Sequence, residues 1–489
     1  MAFKEDWSFL DKITMGAVGT ESVITQLNAY GHQVIELERY CTSNKIWATK
    51  IKRLRIPDLL CLRCGKRIES RAKSKLGIIM SDAENNPERR WFAGLRQSDL
   101  VAFIQCHKNE QDLWEASNTL NLFGVGDMLS TEDQTVLSAP KSVYEGAERD
   151  RTWASYTPGN DFTVTAIENE DAGTRIRLLN GAARNQSKLV NSNQYIYVRI
   201  GDSFQAGEKI VSGIVPHTCD CGCTDTQYDF FEDLSSQQAE TVYTAVKALG
   251  FLPVTDRAIC ELNSIATNEN VDARIRLEAF ASLLRLGEDL WEAAYNYVFS
   301  QESKEIKMEF ALILGELHSL DAETLLRRIV CIDTNESELR AASIWSLPNN
   351  ADALIPILME CFSTDSTVAD HAIAKVEKNF STDMTTAVLN IFGDDEQRNA
   401  VCSHILSSSS AVDYTAVVRK YLSVNNINIK NWLLYTIGIS GAEKYRTLIN
   451  ELDPQAESTT DKLVMLWDYS TKALSQSYSD AIEFIRKQK

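Results

Sequence analysis

Two carboxylates inside a basic stretch are the residues of this chain best placed to do chemistry. In IPDLLCLRCGKRIESRAKSK, residues 56–75, Asp58 heads a short apolar run (Leu59-Leu60-Cys61-Leu62). Glu69 lies in the run that follows, and a Cys-Leu-Arg-Cys-Gly turn separates the two. Side chains alternate along a strand, so Glu69, Arg71 and Lys73 are expected on one face. Two carboxylates that meet one or two cations at the end of a hairpin suit phosphodiester hydrolysis. Carboxylate oxygens hold hard Mg²⁺ (or Mn²⁺), and a nearby cation steadies the charged transition state.

The turn itself carries a second chemistry. Cys61 and Cys64 frame a tight bend of zinc-knuckle form, but a structural Zn²⁺ takes four ligands. Cys219-Asp-Cys221-Gly-Cys223, with His217 just before it, offers the missing pair. The expected set is Cys61, Cys64, Cys219 and Cys221, with Cys223 or His217 as substitutes; the alternative is two unrelated groups of free thiols. Cys106, Cys260, Cys331, Cys361 and Cys402 read as small buried hydrophobes in helical segments.

The elements that must position these groups follow from local pattern. Residues 14–30 read as a helix closed by Gly31, and 33–40 as a strand, with another expected at 45–51. The Asp58 and Glu69 strands come next, then a short helix after Pro87 and a buried strand over 99–106. This order and the PD…ExR residues resemble the PD-(D/E)XK nuclease superfamily, over residues 14–108. That resemblance implies a restriction-endonuclease-like α/β domain in which Asp58 and Glu69 bind Mg²⁺. A helix acid, Glu21, would join them, with Glu38 as its substitute. The family's Lys position is occupied here by Arg71, which cannot give up a proton, so Lys73 is expected to orient water while Arg71 stabilises charge.

The charge is unevenly spread. Residues 1–110 carry 18 Lys and Arg against 13 Asp and Glu, whereas the remainder carries 32 against 55. Lys50, Lys52, Arg53 and Arg55 are therefore expected to steer a DNA backbone. The acidic remainder would repel DNA and suits protein partners. The charged start and the lack of any long apolar run argue against a secretory or membrane protein and for a cytoplasmic one.

Beyond the first domain (1–110), residues 111–155 read as a polar connector and 156–234 as a small β domain of short alternating runs. Residues 235–489 read as an all-α array with anchors at Ala279, Ala311, Ala342, Ala372, Ala400 and Leu433. That array resembles HEAT repeats, so the whole is expected to be a multidomain α+β protein. Nuclease–repeat fusions of this kind resemble bacterial anti-phage and restriction proteins, which implies metal-dependent DNA cleavage with partners held on the solenoid. Two alternatives remain: a non-catalytic nucleic-acid-binding scaffold that recruits an enzyme, and a structural scaffold whose first domain meets an acidic protein.

Overall fold

The computed structural model describes residues 7–452, apart from 39–46, 48, 50–53, 76, 143–146, 154, 155, 157, 183, 192, 193, 207, 209, 224–227 and 440–442. The strand expected over 45–51, and Lys50, Lys52 and Arg53 with it, lie outside the described residues. The architecture is α+β, with a sheet-rich N-terminal region and an all-helical C-terminal region. The chain divides into two compact units at Leu290/Trp291.

The first unit opens with helix α1 (Trp7–Ala29). Val23 and Leu27, four apart, fall on one side of it and are fully buried. Gly31, at φ +84°, ends the helix in the left-handed conformation that glycine adopts without strain. Six strands follow: β1 (Val34–Glu36), β2 (Leu59–Cys61), β3 (Arg67–Lys73), β4 (Ile79–Asp82), β5 (Leu100–Lys108) and β6 (Trp114–Gly124). Five of them form one mixed sheet in the order β1-β2-β3-β5-β6, antiparallel except for the β3–β5 pair.

The pleat of this sheet sorts its side chains onto two faces. Ile68, Ala102, Ile104 and Leu122 pack with Val23 and Leu27 of α1. Helix and sheet approach closely there: a Cβ at Gly19 would stand 2.5 Å from that of Ala72. Val101, Phe103 and Phe123 point the other way, into a core with Met80, Trp91 and Trp153. The register pairs Glu69 with Val101, Arg71 with Phe103 and Lys73 with Gln105, so these three charged residues lie on the face away from α1.

Residues 111–155 hold strands where a connector was expected. β6 is the edge of the main sheet, and β4 joins β7 (Val136–Leu137) and β8 (Arg149–Thr152) in a second, three-stranded sheet. The outer half of β6 is polar because it is an edge strand, which removes the alternation that would mark it in the sequence. Asp82, fully buried, fixes the second sheet by accepting from Arg151 (2.6 Å) and Arg90 (3.1 Å).

The β-rich segment follows as β9 (Phe162–Glu170), β10 (Gly173–Asn180), β11 (Asn185–Val190), β12 (Tyr195–Ile196), β13 (Ser203–Phe204) and β14 (Val211–Ser212). Their inward residues, among them Phe162, Ile176, Leu178 and Phe204, form a separate small core. The helices Ala239–Leu249, Asp256–Thr267 and Ala273–Arg285 complete the first unit. The unit thus runs past the expected boundary at 235. Helix Ala239–Leu249 is tied to the sheet by buried Lys247, whose ammonium donates to the Leu37 carbonyl (3.2 Å).

In the second unit, helices at Lys304–Leu317, Ser337–Ser346, Ser366–Lys378, Glu396–Ser407 and Ile427–Ile439 are interleaved with a second set that includes Leu320–Cys331 and Tyr414–Ser423. Consecutive helices of the first set pack on each other, and the expected anchors Ala311, Ala342, Ala372, Ala400 and Leu433 are all buried. Side chains cap the N-termini of four of these helices, at Ser303, Asp365, Asp395 and Asn426, whereas the helix that follows Glu336 has no side-chain cap. Of the cysteines expected as buried hydrophobes, Cys106, Cys361 and Cys402 are buried but Cys260 and Cys331 are exposed. Amphipathic helices leave part of their surface in water, and those two thiols fall on it.

Candidate functional site

The β1–β2–β3 meander carries two groups of reactive side chains, one at each end. Leu59 pairs with Ile68, so the next residue outward on each strand is Asp58 on one and Glu69 on the other. They face each other across the strand pair. One Asp58 oxygen accepts from the Ser70 amide at 2.7 Å, and the Glu69 carboxylate accepts from the Asp58 amide. β1 extends the pattern. The Leu37 amide donates to the Asp58 carbonyl (2.8 Å), and Glu38 follows one residue later.

The Glu69 side chain is 13% exposed and ion-paired with Arg71. Burial pushes its pKa up to about 8; Arg71 opposes that shift, while Asp58 and Glu38 add to it. Three carboxylates are therefore held close enough to repel one another. The Lys73 ammonium, two residues beyond Arg71, is brought down to about 8, mainly by burial and then by the Arg71 charge. Lys73 also lines a small crevice with Phe103, Gln105, Asn121 and Tyr197.

Other expected participants are placed elsewhere. Glu21 is exposed on α1, which packs on the opposite face of the sheet, so Glu38 and not Glu21 neighbours Glu69. Arg55 is exposed. The basic stretch is partly structural: Arg67 is buried in a two-point pair with Asp99 (2.5 and 3.1 Å). Arg63 donates to the carbonyls of Gly31 (2.7 Å) and Cys223 (2.8 Å).

At the other end of β2, the ligand atoms of His32, Cys61, Cys64 and Cys221 all lie within 4.8 Å of one another. Cys61 Sγ is 3.9 Å from Cys221 Sγ, and Cys64 Sγ is 4.0 Å from His32 Nδ1. The long-range pairing of the 61/64 knuckle with the 219–223 segment is as expected, but its membership differs. Cys219 directs its thiol at the Leu120 carbonyl (3.7 Å) and packs against the α1-side core. His217 pairs with Asp127 at 2.7 Å. Cys223 contacts Cys221 but stands outside the group.

His32 takes the fourth place because of register. Val34 pairs with Cys61 and the Gln33 carbonyl accepts from Leu62, which brings His32 level with the knuckle. No motif spacing signals this; only the β1–β2 pairing does. The Cys64–Cys61 hydrogen bond holds the Cys61 thiol far below its ordinary value, and as its donor Cys64 is correspondingly raised.

No protein-family model matches this chain, and no curated protein matches its sequence.

Proposed function

We propose that the first unit is a divalent-metal-dependent nuclease that hydrolyses DNA phosphodiesters on the face of β3 away from α1. The observation that carries the reading is the opposition of Asp58 and Glu69 across adjacent strands, with Glu38 beside them. Such a group of carboxylates, one of them largely buried, fits a hard cation with oxygen ligands. Asp58 and Glu69 would hold Mg²⁺ or Mn²⁺, and the nearby Glu38 charge would add to the negative field that attracts the ion. When bound, the ion supplies Lewis acidity and a more acidic water.

The chain's own residues divide the remaining work. Lys73, with its lowered pKa, can exchange a proton near neutral pH, which Arg71 cannot. Arg71 keeps a fixed positive charge beside Glu69, where phosphate charge builds up as water attacks phosphorus and the P–O bond to the leaving strand breaks. Arg55, on the surface before Asp58, would meet the DNA backbone. The PD-(D/E)XK reading draws support from the order helix, three antiparallel strands and then, after β4 and a single 3-10 turn at Pro87–Arg89 in place of the expected helix, a strand parallel to the third. The second unit, read as a HEAT-like solenoid from its successive paired helices, would bind partner proteins through its acidic surface.

One observation favours a second reading. The Glu69–Arg71 ion pair already neutralises the acid, which suits a domain that has kept DNA binding and lost cleavage. Supercoiled plasmid incubated with the full chain and Mg²⁺ or Mn²⁺ separates the two. Nicking by wild type and none by Asp58→Asn/Glu69→Gln supports the nuclease. A salt-sensitive gel shift without nicking by either supports the binding module.

A further inference from the structure

We infer that His32, Cys61, Cys64 and Cys221 form a structural zinc site that fastens the chain after β14 to the β1–β2–β3 meander. This site is independent of the proposed nuclease chemistry.

Four observations carry the assignment. The first is number and kind: three thiols and one imidazole are a complete structural shell, with no position left for water. The second is distance. Zinc–sulfur bonds of about 2.3 Å set ligand atoms roughly 3.8 Å apart at the corners of a tetrahedron. The 3.9 Å Cys61–Cys221 and 4.0 Å Cys64–His32 separations lie close to that value.

The third observation is the orientation of the imidazole. His32 Nε2 is 3.0 Å from the Cys219 carbonyl oxygen. A carbonyl only accepts, so Nε2 carries the proton and the Nδ1 lone pair faces the thiols. Backbone fixing of the second ring nitrogen is how metal-bound imidazoles are oriented. It also gives Cys219 a part, through its main chain and not its thiol. The fourth is the surrounding frame. The Cys221 amide donates to the Tyr30 carbonyl (3.1 Å) and the Cys61 amide to the Lys66 carbonyl (3.0 Å). Gly65, at φ +69°, closes the knuckle where any Cβ would collide with the Tyr228 ring. Arg63, donating to Gly31 and Cys223, places a positive charge beside a centre that three thiolates and Zn²⁺ would leave with one net negative charge.

The ligands come from three distant stretches of chain. Residue 32 follows α1, 61 and 64 flank the hairpin turn, and 221 follows the β-rich segment. His217, four residues before Cys221, bridges to Leu122 on β6 through its amide (2.7 Å to the Leu122 carbonyl). The stretch from 217 to 221 is thus held at both ends, by the sheet edge and by the proposed metal. Binding releases the thiol protons to solvent and adds its free energy to the folded state alone.

The test is metal content of the full-length chain, purified without chelators or metal-affinity resin, by mass spectrometry of the elements. Wild type is expected to carry about one zinc per chain, and Cys219→Ser to keep it. His32→Ala and Cys221→Ser are expected to fall close to zero. His32→Cys, which rebuilds a four-ligand shell, is expected to regain the metal and so guards against a variant that merely misfolds. Co²⁺ substitution should give the visible bands of a tetrahedral thiolate complex in wild type and Cys219→Ser alike. Wild type with no zinc, or with iron in its place, overturns the assignment. So does zinc that survives His32→Ala but is lost in Cys219→Ser, or a His32→Cys chain that stays metal-free. None of these readouts depends on DNA cleavage.

Discussion

The two ends of the β1–β2–β3 meander are built from the same three strands and solve opposite problems. Each strand or its flank gives one member to each group: His32 and Glu38 from β1, Cys61 and Asp58 from β2, Cys64 and Glu69 from the knuckle and β3. At the knuckle end the donor atoms all lie within 4.8 Å of one another and the imidazole is already oriented. At the carboxylate end the charges repel, and burial with the neighbouring acids raises the Glu69 pKa to about 8. A rigid thiolate shell for a structural ion is expected to be pre-formed. A Mg²⁺ site keeps waters and need not be. Asp58 and Cys61, one at each end, stand only about 10 Å apart along one short strand.

The largest expected effect lies at the knuckle. Stripping zinc with a strong chelator should lower the melting temperature of the first unit by on the order of 10 °C or more, since structural zinc contributes several kcal/mol of folding free energy. Calorimetry that finds the transition unmoved would remove the proposed division of labour. Next comes the carboxylate end. Asp58→Asn or Glu69→Gln should cut the rate of plasmid nicking by about 10²-fold or more, while zinc content stays unchanged. Lys73→Met should cost about 10²-fold if Lys73 handles the proton, whereas Arg71→Lys should retain or raise activity. A Lys73→Met enzyme with full activity would pass that role to another group.

The smallest effect is also the most specific. Glu69 binds a proton up to a pH of about 8 in the folded chain but only to its ordinary value near 4.5 when unfolded. Between those values the folded state holds more protons, so its stability must fall as pH rises through the window. Denaturant titrations of protein free of Mg²⁺ and Mn²⁺ should show this as a slope of at most about 1.4 kcal/mol per pH unit. Glu69→Gln should flatten it, and saturating Mn²⁺ should do the same. A slope that persists in Glu69→Gln would place the repulsion elsewhere.

How far the sequence reveals these two ends depends on how local their determinants are. Asp58 and Glu69 are readable because period-two alternation and a short hairpin put them on one face, and both residues lie in a single 20-residue stretch. The link from the knuckle to Cys221 is readable because thiols cluster in only two places. His32 and Glu38 are not readable, since their membership depends on β1–β2 register across a span of chain with no motif. Glu21 fits the superfamily order but lies on a helix that covers the wrong face. β6 escapes notice because an edge strand half in water loses its alternation. The helical array is legible from its buried alanines at 311, 342, 372 and 400.

Direct Mn²⁺ binding tests the central claim that the carboxylate end holds a divalent ion. Titration of full-length zinc-loaded protein near pH 8, followed by electron paramagnetic resonance of free Mn²⁺, reads it without any assumption about substrate. The account predicts binding by wild type and a loss of at least about tenfold in affinity for Asp58→Asn/Glu69→Gln, with zinc retained in both. Equal Mn²⁺ affinity in the two proteins, or none in wild type, would contradict it.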